Sequence, residues 1–128
     1  MKKSGIINAK LAGALAGLGH TDQVVICDAG LPLPRGPEVV DLAFRLGVPS
    51  FEVVLSALLE ELVVEGATAA EEVERNTRSH EYLTANLPDL GPVPHEELKR
   101  MVAGAKLVVR TGEATPYSNV ILRCGVPF

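Results

Sequence analysis

The chain has 128 residues, 47% of them apolar, with a formal charge of −4 and a pI near 5.3. That is one domain's worth of sequence, residues 1–128, able to bury about two-thirds of its unfolded surface. The acidic balance offers no basic face for nucleic acid or anionic lipid, 4% aromatic content is poor for base stacking, and no apolar run approaches the ~18 residues of a membrane span.

Leu11, Leu15 and Leu18 fall at i, i+4 and i+7 and predict one helical stripe. Asn8 is its expected N-cap and Gly19 its expected left-handed terminator. The basic start, Met1-Lys2-Lys3, runs into this helix with Lys10 inside it, so it does not read as a signal peptide, and the chain reads as cytoplasmic. Val24-Val25-Ile26-Cys27 is a continuous apolar run, expected as a strand buried on both faces. His20 precedes that run and Asp28 ends it, so the strand is either flanked by ordinary loop residues or is a rail fixing an acid–base pair. Residues 29–37 hold three prolines and two glycines and predict a shaped loop.

Val39–Phe44 reads as a second strand. Ser50 caps a predicted helix through about Glu60. Helix and strand signals conflict at Leu62–Val64. Glu71–Leu87 is expected to be helical, with a break near Asn76-Thr77. Pro94 opens a well-signalled helix, HEELKRMV, with acids first and cations later. Lys106–Arg110 is a strand, residues 111–118 a polar loop, and Asn119–Cys124 a final strand. Alternating strands and helices predict an α/β fold, a three-layer α/β/α domain. The short late loops point to antiparallel pairs within it, hence a mixed central sheet.

Ligands of open α/β sheets bind outside the carboxyl ends of strands. Asp28, Glu113, Tyr117, Ser118 and Asn119 sit at such ends or lead into a strand. Hydroxyls, an amide and carboxylates suit a polyhydroxylated ligand better than a phosphate, and no phosphate-binding glycine loop is present. The apolar surplus, a mean hydropathy of +0.22, is best absorbed by a subunit interface. His20, His80 and His95 lack metal-site spacing. The two cysteines, Cys27 and Cys124, lie in apolar runs and read as buried thiols; no nucleophile elbow occurs. An imidazole gives and accepts protons near neutral pH, so His20 is the natural candidate for acid–base work. By spacing alone a plain loop histidine is the readier explanation. His95, in the first turn of a helix, stands open between surface and functional roles.

Three segments carry a family resemblance: MKKSGIINAKLAGALAGLGHTDQVVICDAGLPLP, PHEELKRMV and LVVRTGEATPYSNVILRCGVPF. Together they resemble the D-ribose pyranase family, the ribose branch of a superfamily that also holds L-fucose mutarotase. The resemblance spans essentially the whole chain, with residues 50–92 only loosely informative. It implies a mutarotase-type isomerase without cofactor or metal that interconverts pyranose and furanose D-ribose. It further implies His20 as proton donor, with Asp28, His95, Tyr117, Ser118 and Asn119 as sugar contacts. Relatives often carry alanine at the Ser118 position, which points to a backbone contact there. The family forms ring-shaped homo-oligomers, commonly decamers, with sites between subunits. A mutarotase for another sugar such as L-fucose, a non-catalytic sugar-binding regulatory subunit and a purely structural scaffold are the competing readings. The roles of Arg110 and Glu113 stay open.

Overall fold

The computed structural model describes residues 1–87 and 89–128. Among these residues, six strands form one sheet in the order β2-β5-β1-β6-β3-β4. The strands are β1 (Gln23–Cys27), β2 (Glu38–Asp41), β3 (Val64–Ala70), β4 (Leu90–Val93), β5 (Leu107–Arg110) and β6 (Val120–Cys124). β5 pairs parallel with both β1 and β2, and β3 parallel with β4; β6 is antiparallel to β1 and β3. Five strands therefore run one way and β6 alone runs back. The sheet is mixed, as the short late loops imply.

The helices α1 (Ala9–Ala16), α2 (Phe51–Glu61) and α3 (Thr77–Asn86) cover one face, and α4 (His95–Val102) packs on the other. Leu11 and Leu15 of α1, Phe51, Val54, Leu55 and Leu58 of α2 and Leu83 of α3 pack against Val24, Ile26, Val109 and Leu122. Leu98 and Val102 of α4 meet Val25, Cys27, Val108 and Ile121. The unbroken apolar run of β1 is thus consumed on both faces, which is what a strand between two helical layers requires.

Local chemistry sets most boundaries. Asn8 caps α1 by accepting from the Leu11 amide at 3.0 Å, and Ser50 caps α2 by accepting from Val53 at 3.3 Å. The terminator of α1 is Gly17, not Gly19, and the positive φ of this turn falls on Thr21 at 68°. β2 stops at Asp41 rather than reaching Phe44, because the Asp41 carboxylate accepts from the Ala43 amide and turns the chain away. α2 ends at Glu61, and the ambiguous Leu62–Val64 stretch opens β3, which continues through the small residues Gly66-Ala67-Thr68-Ala69-Ala70. The expected break near Asn76 separates a 3₁₀ helix, Glu71–Arg75, from α3. β4 has no counterpart in the sequence pattern. Gly91 and Pro92 mask it, and it is an edge strand, where proline is tolerated.

Two glycines make opposite demands. A Cβ on Gly112 would stand 2.2 Å from the Val48 carbonyl oxygen, backbone against backbone, whereas a Cβ on Gly13 meets nothing within 4 Å. Gly112→Ala is expected to lower stability by about 1–3 kcal/mol through overpacking. Gly13→Ala, in the middle of α1, should raise it by roughly 0.5–1 kcal/mol. Denaturant midpoints of the two variants against the parent check both signs.

Candidate functional site

Because β6 alone is reversed, one edge of the sheet collects the carboxyl ends of five strands and the amino end of β6. A cavity of about 560 Å³ opens there, inside the ~300–1,000 Å³ range of small-molecule sites. Asp28 reaches it from the end of β1, His95 from the first turn of α4, Arg110 and Glu113 from the end of β5, and Tyr117 from the loop before β6.

Asp28 is 8% exposed and Asn119 fully buried. Asn119 donates from Nδ2 to Asp28 Oδ2 at 3.0 Å and accepts the Asp28 amide on Oδ1 at 2.9 Å. The Gly30 amide donates to Asp28 Oδ1 at 2.9 Å. The carboxylate is therefore fixed in direction, and each oxygen retains a lone pair for a hydroxyl donor.

His95 and Tyr117 meet edge to face, with ring centroids 5.1 Å apart and an interplanar angle of 84°. His95 Nδ1 is buried and has no hydrogen-bond partner among the described residues. The His95 amide donates to Glu72 Oε2 at 2.9 Å. Tyr117 has a φ of 67°, a conformation that needs outside support. The Arg75 guanidinium lies 6.0 Å from its ring centroid. Asn76 Nδ2 donates to Ser118 Oγ at 2.8 Å, while the Ser79 and Ser118 hydroxyls share a bond of 2.8 Å.

Arg110 and Glu113 are braces. Arg110 donates to the Ala29 carbonyl through Nε at 3.2 Å and Nη2 at 2.9 Å, and to Asp41 through Nη1 at 2.9 Å. Glu113 accepts from the Phe51 amide at the start of α2, the Ala114 and Thr115 amides and the Thr115 hydroxyl. Burial alone would push its carboxyl up, but those four bonds prevail and hold it below the ordinary carboxylate value. The Cys27 thiol, beneath the site, is pushed up to about 12 by burial, reinforced by the Asp28 charge, and is inert as a nucleophile.

Of the residues singled out in the sequence, Asp28, His95 and Tyr117 line the cavity. Asn119 stands behind Asp28, and the Ser118 side chain turns inward to Asn76 and Ser79, leaving its backbone to the loop. His20 is elsewhere. It precedes the amino end of β1, whose five residues at ~3.3 Å each put roughly 16 Å of strand between it and Asp28. There its Nε2 lies 3.0 Å from Glu65 Oε2. Glu72, Arg75, Asn76 and Ser79 support the site from a stretch with no motif; the one local signal is the capping asparagine, Asn76. Among the described residues, no three His, Cys, Asp or Glu side chains converge to hold a metal ion.

Fold and cavity together define an α/β protein with a polar small-ligand site at the carboxyl edge of its sheet. The profile of the RbsD / FucU transport protein family matches residues 1–127. The chain is 70% identical to D-ribose pyranase 1 of Rubrobacter xylanophilus and 64% identical to D-ribose pyranase of Streptomyces coelicolor, in each case across the whole of both chains. The structure of Bacillus subtilis RbsD complexed with D-ribose matches with a TM-score of 0.95 at 45% identity over all of both chains. The fucose mutarotase of Streptococcus pneumoniae in complex with L-fucose shares the fold, with a TM-score of 0.76 at 20% identity over 95% of each chain. The chain belongs to the RbsD / FucU family.

Asn119→Ala should cost about 1–3 kcal/mol, since it strips buried partners from Asp28; urea denaturation measures it. Glu113 gives a pH prediction. Its folded pKa is depressed, so its ionised form stabilises the fold above the ordinary value of 4.5, and that stability is lost as pH falls through the lower folded value. Glu113→Gln should therefore show a shallower loss of stability below about pH 4.5 than the parent.

Proposed function

We propose that the protein is a D-ribose pyranase, a cofactor-independent isomerase that interconverts the pyranose and furanose forms of D-ribose. The observation that carries this reading is the polar cavity in which a fixed carboxylate acceptor, Asp28, faces a His95–Tyr117 wall, in a chain 70% identical over its full length to a D-ribose pyranase. Asp28 accepts from sugar hydroxyls, His95 hydrogen-bonds a hydroxyl through its ring, and the Tyr117 ring packs on an apolar face of the sugar. Asn119 aims Asp28, and the backbone at Ser118 completes the cradle.

The reaction needs two proton movements. As the C1–ring-oxygen bond breaks, the ring oxygen gains a proton and the anomeric hydroxyl loses one; closure through a different hydroxyl reverses both. His20 supplies the proton to the ring oxygen and is reprotonated by the one that the anomeric hydroxyl releases, so no proton is gained or lost overall. A positioned carrier of this kind gives about a hundred- to ten-thousand-fold, enough for a reaction that already proceeds in water.

His20 and the cavity lie at opposite edges of one sheet, so the working site combines the cavity of one protomer with His20 of a second copy. Phe44 and Leu46 on the turn beside the cavity are 81% and 78% exposed, and they form the apolar rim that a neighbouring copy covers. Repetition of such a head-to-tail contact closes a ring, in keeping with the ring-shaped homo-oligomer, commonly a decamer, that the resemblance implies. Residence in the cytoplasm suits the two buried free cysteines, Cys27 and Cys124.

His20→Ala should abolish accelerated ring exchange of ribose, followed by saturation-transfer NMR, with the assembly intact by light scattering. Asp28→Asn should weaken ribose binding. When the two variant chains are co-expressed, mixed assemblies regain a fraction of the activity, because some sites pair an intact His20 with an intact Asp28. Retained exchange in His20→Ala removes that residue from the role; absence of complementation removes the two-copy site. Running ribose beside L-fucose tests the sugar.

A further inference from the structure

At the edge of the sheet opposite the cavity, an exposed histidine is held with unusual thoroughness. His20 lies in a turn with no regular hydrogen-bond ladder, yet its neighbours are tied on every side. The Gly19 amide donates to Asp22 Oδ2 at 2.7 Å, and the Thr21 amide to the Cys124 carbonyl at 2.9 Å. The Cys124 amide returns a bond to the Asp22 carbonyl at 2.9 Å. Lys106 Nζ bridges the Gly17 carbonyl at 2.8 Å and Asp22 Oδ2 at 2.7 Å. Thr21 takes a left-handed φ of 68° within this frame. The His20 side chain itself remains 54% exposed.

Opposite the ring stands Glu65. The register of β3 against β6 slips between Val64, paired with Cys124, and Gly66, paired with Arg123. Glu65 is the extra residue of this bulge, a device that re-aims a side chain out of the pleat. One oxygen, Oε2, lies 3.0 Å from His20 Nε2, and the other, Oε1, is ion-paired with Arg123 Nε at 3.1 Å. The Arg123 guanidinium lies over Gly66, where a Cβ would stand 3.4 Å from its Nη2. Bulge, glycine and arginine together turn the carboxylate toward His20.

We infer that Glu65 is a positioning residue for His20: it accepts the hydrogen on Nε2, fixes that tautomer and ring orientation, and leaves Nδ1 as the nitrogen that exchanges a proton with the sugar. Which imidazole nitrogen works is set by the hydrogen bond the other one makes. The same logic lets an aspartate orient a catalytic imidazole. Arg123 acts one step further back by holding Glu65. This inference rests on the proton-donor role proposed for His20 and adds to it the identity of the working nitrogen.

The test uses full-length chains in the assembled state. Catalysed ribose exchange is measured over a range of ribose concentrations to separate kcat from KM, and nitrogen-15 spectra of the imidazoles report the His20 tautomer. Glu65→Leu should lower kcat on the order of tenfold, part of what a positioned proton carrier supplies, with KM unchanged and the His20 signals shifted to a tautomer mixture. Glu65→Gln keeps an acceptor oxygen and should recover most of the kcat. Wild-type kcat in Glu65→Leu, or an unchanged tautomer spectrum, overturns the inference. Should that variant fail to assemble, Arg123→Gln replaces it, with the same expectation of a lower kcat at constant KM and the same overturning result. Unimpaired exchange in His20→Ala would instead defeat the donor role itself, leaving the tautomer spectra to decide the Glu65 contact separately.

Discussion

Asp28 and Asn119 close a ring of two hydrogen bonds between the end of β1 and the start of β6, and the shape of the cavity depends on it. A carboxylate this deeply buried is costly unless its oxygens are engaged. Asn119 and the Gly30 amide engage them without a countercharge. Asp28 therefore stays a directed acceptor rather than half of an ion pair. Arg110, the nearest cation along the β5 edge, is kept away from that task by the Ala29 carbonyl and Asp41. The polarity of the site follows in part from where Arg110 is spent.

The reversal of β6 does the sorting. Had it run parallel to its neighbours, the Tyr117–Asn119 loop would lie at the far edge, beside His20. Instead it faces Asp28, and Arg123, at the other end of the same strand, faces Glu65. One sheet thus presents a sugar-sized cradle along one edge and a braced imidazole along the other. In the two-copy site proposed above, that division gives the apolar surplus of the composition a purpose, since it brings the two edges of different copies together.

How far these features can be read from the residues depends on whether their cause is local. β1 and α4 are plain in the sequence because an unbroken apolar run and a graded charge pattern are local signals. Asp28 and His95 are findable because each stands immediately after a strand or opens a helix. β4 escapes because Gly91 and Pro92 carry no strand signal and only the edge position makes them acceptable. Glu72 and Arg75 escape for a different reason: their partners His95 and Tyr117 are distant in the chain, so nothing local marks them. The seven residues between His20 and Asp28 suggest nearness, and the extended backbone turns that short interval into a long distance.

β6 comes last of the six strands in chain order, yet it lies in the interior of the sheet, with β1 on one side and β3 on the other. Until it emerges from the ribosome, the β2-β5-β1 half and the β3-β4 half have no strand joining them. Both of its neighbours meanwhile carry an open edge of unpaired amides and carbonyls. Closure must therefore wait for nearly the whole chain, and its long-range pairings make it a slow step relative to helix formation. The same late event that joins the halves also sets Asn119 against Asp28, so a nascent chain acquires a sugar cradle and a continuous sheet at one stroke.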